Sequence, residues 1–169
     1  MCAYKALDVA DYIVQYCNTT GKKITHLQLQ KILYFSEAKY LVNNSNLFDD
    51  TISKWRMGPV VERVYHEYKT FGSSNISYVP KRLTFKSDGT IALTSFDPDS
   101  IEEKDKKEIE KIVDEYIINS PFTLVQATHD HYPWKKDEAL INAGTHGLSY
   151  DKSELKDFFK NNPSAFEVK

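Results

Sequence analysis

Thr25-His26-Leu27-Gln28-Leu29-Gln30-Lys31-Ile32-Leu33-Tyr34-Phe35-Ser36-Glu37-Ala38-Lys39-Tyr40-Leu41 is the stretch that decides the fold. Thr25 is a good N-cap, and Gln28 three residues later completes a capping box. Leu29, Ile32, Leu33, Ser36 and Tyr40 line one helical face, and Tyr34, Phe35, Ala38 and Leu41 line a second. A helix apolar over so much of its circumference belongs at the centre of a bundle. Asn43-Asn44-Ser45-Asn46 ends it with turn-forming residues.

Other elements fall around this one. Before it, Leu7, Ala10, Val14 and Cys17 recur at helical spacing, so a first helix is predicted from about Leu7 to Tyr16, with Gly21 as the breaker. After it, residues 47–57 read as extended, with a short edge strand near Trp55. Gly58-Pro59 is turn punctuation, and Pro59 suits the first position of a third helix that ends near Phe71-Gly72. Leu83-Thr84-Phe85 and Ile91-Ala92-Leu93 flank Ser87-Asp88-Gly89, the pattern of a hairpin. A lone hairpin is marginal in water, so it should lie on helices or extend the strand near Trp55.

A fourth helix is predicted after Asp99 or Ser100, through Ile109, Ile112, Val113, Tyr116 and Ile117. Ser120-Pro121 opens a fifth over about Phe122–His129, a short helical segment follows Trp134, and Asp151 with Glu154 caps a last helix through Leu155, Phe158 and Phe159. The expected class is mainly α (α+β), a bundle of about six helices with a small β-hairpin or short sheet. No repeat, low-complexity stretch or linker divides the chain, so residues 1–169 read as one domain.

Composition narrows the function. The formal charge of −2 supplies no basic field of the kind nucleic-acid binding uses. Lys104, Lys106, Lys107 and Lys111 are interleaved with Glu102, Glu103, Asp105, Glu108 and Glu110, the pattern of a solvated helix face. No signal core or apolar run of membrane length is visible, so a cytoplasmic location with Cys2 and Cys17 reduced is expected.

Catalytic patterns are sparse. There is no Gly-rich phosphate loop, no Cys-x-x-Cys and no His-Glu-x-x-His. His129-Asp130-His131 is the best metal-like cluster, but at a helix end its two rings diverge and no third ligand stands at a recognisable spacing. Cys17 as nucleophile with His129 as base competes with a plain core role on the first helix. Trp55-Arg56 and Pro133-Trp134 carry residue types that anchor protein interfaces, although Trp rings also serve as core. Two further readings stay open on the residues alone. One is a DNA-binding regulator using Lys81-Arg82 and Lys54/Arg56. The other is a metal or His-dependent hydrolase centred on His129 and His131.

Three ordered stretches carry a resemblance: Leu29-Gln30-Lys31-Ile32-Leu33-Tyr34-Phe35; Leu47-Phe48-Asp49-Asp50 followed by Trp55-Arg56-Met57-Gly58-Pro59-Val60; and Thr128-His129 with Pro133-Trp134. Over roughly residues 5–160 the chain resembles the SocA-like antitoxin family, the Panacea domain, which includes phage-associated GepA-like proteins. It departs at Ser36, where the family often has Ala, and at Met57, where an aromatic or polar residue is common. The resemblance implies a bacterial or phage-encoded, non-enzymatic antitoxin without a cofactor. Its partner would be a protein toxin encoded by an adjacent gene, neutralised by direct contact. The namesake member instead works as an adaptor that delivers its toxin to a ClpXP-type protease. Self-association is compatible with the family, and a membrane or nucleic-acid partner is not implied. Carried onto this chain, the partner-binding or motif residues are Lys31, Tyr34, Trp55, Arg56, Gly58, Pro59, His129 and Trp134.

Overall fold

A computed structural model describes residues 3–168, so Met1 and Cys2, with the reduced thiol expected there, lie outside the described residues. The central element is α2 (His26–Val42), in which every residue from Gln28 to Ala38 is buried. Its start follows the sequence signal. The Thr25 hydroxyl accepts from Gln28 N, and Gln28 Oε1 accepts from Thr25 N at 3.0 Å. Around α2 pack α1 (Ala6–Thr19), α3 (Glu62–Tyr68), α4 (Glu103–Tyr116), α5 (Pro121–Asp130) and α8 (Lys152–Asn161). Two short helices, α6 (Tyr132–Lys135) and α7 (Glu138–Asn142), connect α5 to the last segment. The class is mainly α, with eight α-helices and two small antiparallel sheets among the described residues.

The strands correct one expectation. Pro59 does not open the third helix. It lies in β2 (Gly58–Val60), which pairs with β1 (Ser53–Trp55) in the register Lys54↔Pro59 and Trp55↔Gly58. Arg56 and Met57 form the turn, so the chain reverses before Gly58 rather than after Pro59. Proline is tolerated at this sheet edge because no neighbouring strand asks for its missing N–H. The other edge of β1 is covered. Lys54 N donates to Leu148 O and Tyr150 N donates to Ile52 O, both at 2.8 Å. Helix α3 then starts at Glu62, and Lys69–Phe71 finish it as a 3₁₀ turn.

The second hairpin is β3 (Arg82–Phe85) against β4 (Ile91–Thr94), closed by Lys86 N to Thr90 O at 2.8 Å. It forms a sheet of its own and does not extend β1. Helix α4 begins at Glu103, later than expected, because Asp97 caps a 3₁₀ turn at Pro98–Ser100. Ser120 caps α5 with Pro121 in its first turn, and Asp151 caps α8 through Glu154 N.

Aromatic rings fill the space between α2, α4 and α8. Phe35 stacks on Tyr116 at 4.3 Å between centroids, Tyr34 meets Phe159 edge-on at 5.9 Å, and Phe159 stacks on Phe166 at 4.3 Å. Offset and edge-on pairs of this kind add to the free energy of burial.

One buried carboxylate ties the second hairpin to this core. Asp11 on α1 is fully buried and accepts from Tyr68 Oη and from Arg82 Nη2, each at 2.7 Å, with Arg82 Nη1 completing a bidentate pair. Arg82 Nε also pairs with Glu67 at 3.0 Å. Asp11→Ala should lower the unfolding free energy by about 3 kcal/mol, because a buried pair loses one partner. Urea denaturation measures the loss, and limited proteolysis should then cut first between residues 80 and 95.

Candidate functional site

The resembling stretches converge on the β1–β2 hairpin and its supports. Three polar side chains of the buried helix explain how. Gln30 Oε1 accepts from Val61 N at 2.8 Å, and Gln30 Nε2 reaches Val61 O at 3.4 Å, so one amide pairs with one backbone unit as a strand would. Lys31 Nζ donates to Pro59 O at 3.0 Å. The outer edge of β2 therefore ends on side chains of α2 rather than on another strand or on water. Glu37 does the same for the next segment, accepting from Leu47 N at 2.9 Å and Phe48 N at 3.1 Å while pairing with Lys152 at 2.9 Å. Asp50 accepts from Ala6 N at the start of α1, at 2.8 Å.

Gly58 is required where these supports meet. Its φ is +88°, and a Cβ there would lie 2.5 Å from Thr128 Oγ1 and 3.1 Å from Lys31 Cε. Both the backbone conformation and the close approach of two helices exclude a side chain. On the far side, Trp134 is buried and its Nε1 donates to Trp55 O at 3.0 Å. His129 stacks on Trp134 with centroids 3.8 Å apart and planes at 15°. Trp134 and its stacked partner thus hold the first hairpin against α5 and α6, while Lys31 holds it against α2.

Tyr34 and His131 form a second buried link. His131 Nε2 lies 3.0 Å from Ala165 O, which only accepts, so Nε2 carries the proton. Nδ1 is then bare in the neutral ring and accepts from Tyr34 Oη at 3.0 Å. Burial pushes the His131 pKa down to about 4. His129 and His131 thus serve different partners, and among the described residues no cluster of three or more His, Cys, Asp or Glu stands at metal-binding distance. Cys17 is fully buried in α1, and burial pushes its thiol up to about 11, away from a reactive thiolate.

Of the eight site residues, Lys31, Tyr34, Gly58, Pro59 and Trp134 are buried, Trp55 and His129 are half-buried, and Arg56 is exposed. The hairpin tip is thus the part of the set that meets solvent. Trp55 packs edge-on against Tyr65 at 4.8 Å, Arg56 Nη2 donates to Asn142 O at 2.8 Å, and Met57 is 41% exposed. Beside the tip runs a cleft of about 670 Å³ whose walls include Lys54, Trp55, Arg56, Ile141, His146 and Leu148.

Of the cations that motivated a DNA-binding reading, Lys54 and Arg82 are engaged internally, whereas Lys81 and Arg56 are exposed. Lys54 is buried and pairs with Asp137 at 2.5 Å, and Arg82 is held by Asp11 and Glu67. Sequence reasoning did not single out Gln30, Glu37 or Asp11. Their signal was a polar residue inside an apolar stripe, which marks a buried partner without naming it.

Two expectations test this corner. Gly58→Ala should cost roughly 3 kcal/mol, from the strained φ and the contact with Thr128, and adding Thr128→Ala should return only part of it. Lys31 titrates separately. Burial pulls its pKa down to about 7 from the ordinary 10.5, so the unfolded chain holds a proton that the folded chain sheds in that window. Stability at this group therefore rises with pH above 7. Lys31→Met should flatten that rise, read from urea denaturation at a series of pH values.

The sequence family described as "Antitoxin SocA-like, Panacea domain" matches residues 29–135, more than half of the chain. No curated protein and no solved structure matches it significantly. The matched span runs from Leu29 in α2 to the end of α6, and so contains the first hairpin together with Gln30, Lys31, Thr128, His129 and Trp134 that support it. The chain belongs to the SocA-like antitoxin family, and its Panacea domain has antitoxin-type function.

Proposed function

We propose that this protein neutralises a protein toxin by direct contact, and that the contact is made at the tip of the β1–β2 hairpin and the cleft beside it. The observation that carries this reading is the way the tip is held. Trp55, Arg56 and Met57 stand at solvent on a hairpin fixed by Trp134 on one side and by Gln30 and Lys31 on the other. Trp and Arg are the residues that most often dominate interface energetics, and Met adapts to an irregular partner surface. A tip fixed before binding loses little conformational freedom when a partner arrives.

The toxin is expected to be the product of an adjacent gene. Each neighbouring gene is expressed alone and then with this protein, and growth and co-purification are followed. Relief of toxicity through a stoichiometric complex is the expected result. Met57→Asp and Arg56→Glu should abolish the rescue while changing stability little, since both side chains are exposed. Rescue in which the toxin disappears only when a ClpXP-type protease is present would identify an adaptor instead. If no neighbour is toxic or bound, the direct-contact reading fails.

A further inference from the structure

Residues 163–168 lie on the bundle as a bound peptide would. Helix α8 stops at Asn161, Asn162 leaves helical geometry, and Pro163–Phe166 form a 3₁₀ turn. Glu167 continues extended, at φ −81° and ψ 126°. Phe166 and Val168 pack against the core while Glu167 between them is exposed, the alternation of a strand with one face covered. The backbone donors of the segment stay local: Ala165 N donates to Asn162 O at 2.9 Å and Glu167 N to Ser164 O at 3.0 Å. Among the described residues no backbone–backbone hydrogen bond joins it to α2, α4, α5 or α6.

Side chains from around the bundle hold it instead. His131, between α5 and α6, donates from Nε2 to Ala165 O at 3.0 Å, and Tyr116 of α4 donates its hydroxyl to Phe166 O at 2.8 Å. Two successive carbonyls are thus read by two buried side chains. The Phe166 ring stacks on Phe159 of α8 with centroids 4.3 Å apart, and Lys39 Nζ of α2 stands 5.7 Å from its centre. The slot is set from below. Tyr34 Oη on Nδ1 of His131 keeps the Nε2 proton aimed at the segment, and Lys39 is held by Glu115. Buried donors left without acceptors are costly, so an emptied slot asks for carbonyls and for a ring. Main chain read by hydrogen bonds and one anchor read by a pocket is the pattern of peptide recognition.

We propose that residues 163–168 are a strap that leaves this slot while the bundle stays folded, and that the slot then takes a segment of a partner protein with the same chemistry: a small residue, an aromatic, and an aliphatic residue two positions further on. A segment held by side chains, without a backbone ladder to its neighbours, is of the kind that opens locally. A second copy of this chain is a poor occupant. Exchanging straps between copies recovers only contacts that each copy already has, while association costs translational and rotational freedom. None of the slot residues lines the cleft beside Trp55, so this contact and the toxin contact stand or fall separately.

The test uses the full chain carrying Phe166→Ala, which empties the anchor pocket. A fluorescent peptide with the sequence of residues 161–169 is titrated against it and against wild type, and anisotropy is read. The variant should bind the peptide at least roughly tenfold tighter than wild type, whose own strap competes at an effective concentration of about millimolar. Phe166→Ala in the peptide should weaken binding more than about tenfold, and adding Tyr116→Phe to the variant chain should weaken it about fivefold. In the wild-type chain the amides of Ala165 and Glu167 should exchange hydrogen roughly a hundredfold faster than those of Leu33 and Phe35 in α2. A folded variant that does not bind the peptide, equal binding by variant and wild type, or a variant that does not fold overturns the proposal. So does exchange at Ala165 and Glu167 as slow as in α2. Sedimentation of variant and wild type mixed together distinguishes the sources of the segment. Monomers are expected, and a mixed dimer would give the slot to a second copy and overturn the assignment to a partner protein.

Discussion

The pairing of the Gln30 amide with the backbone of Val61, and of the Lys31 ammonium with the Pro59 carbonyl, is the constraint on which the rest of this corner depends. Helix α2 is buried all the way from Gln28 to Ala38, so water cannot satisfy the polar groups it carries. Apart from the Ser36 hydroxyl, which is buried without a partner, these groups are satisfied within the protein, mostly by backbone atoms of neighbouring segments. Gln30 and Lys31 take the edge of β2, Glu37 takes the turn at Leu47-Phe48, and Tyr34 takes His131. A central helix thus works as a template that reads backbone, and the hairpin's position follows from helix spacing. Residues 30 and 31 meet β2 and the Val61 that follows it, while residues 34 and 37 meet His131 at the α5–α6 junction and the 47–48 turn.

The buried charges are treated unequally, and this bears on behaviour with pH. Asp11 and Glu37 each sit against a cation, Arg82 and Lys152 respectively. Lys31 has the Pro59 carbonyl and no ion-pair partner among the described residues, so burial pulls its pKa down to about 7. His26 and His131 are both pushed down to about 4, so each stays neutral in the fold well below the pH at which an unfolded histidine charges. Their contribution falls as pH drops from about 6.5 toward 4. Acid therefore opposes the Tyr34–His131–Ala165 link, and mild alkali favours the Lys31 site.

Local signals in the sequence located most elements because those elements are locally determined. The Thr25 capping box, the Ser120-Pro121 start of α5 and the Asp151 cap of α8 all act over three or four residues, and all stand as read. Pro59 was misread for a physical reason. Pro after Gly suits a helix start, but the deciding partner was Lys54, five residues earlier, together with Lys31 on another element. The candidate site was legible as a set of residues and not as an arrangement. Lys31, Trp55, Gly58, His129 and Trp134 do meet, yet which of them face solvent depends on long-range packing. The apolar ladder Leu83, Phe85, Ile91 and Leu93 shows the same limit. Alternation places the four on one face, and only the Asp11–Arg82 clamp fixes that face outward.

Burial also separates the motif residues that hold the scaffold from those that meet solvent. Most of the matched motif is spent on internal contacts: Gly58 admits two helices, Trp134 holds the Trp55 carbonyl, and Gln30 and Lys31 close a strand edge. Side chains used in this way are buried and offer no surface to a partner. What remains exposed, Arg56 and Met57 at one hairpin tip and the apolar ladder on the other hairpin, is held in place by that network without being part of it. Substitution at such positions leaves the buried pairs intact, so the chemistry of the surface can change while the scaffold does not. A fold built this way keeps its architecture fixed by α2 and leaves the exposed positions of its hairpins free to vary.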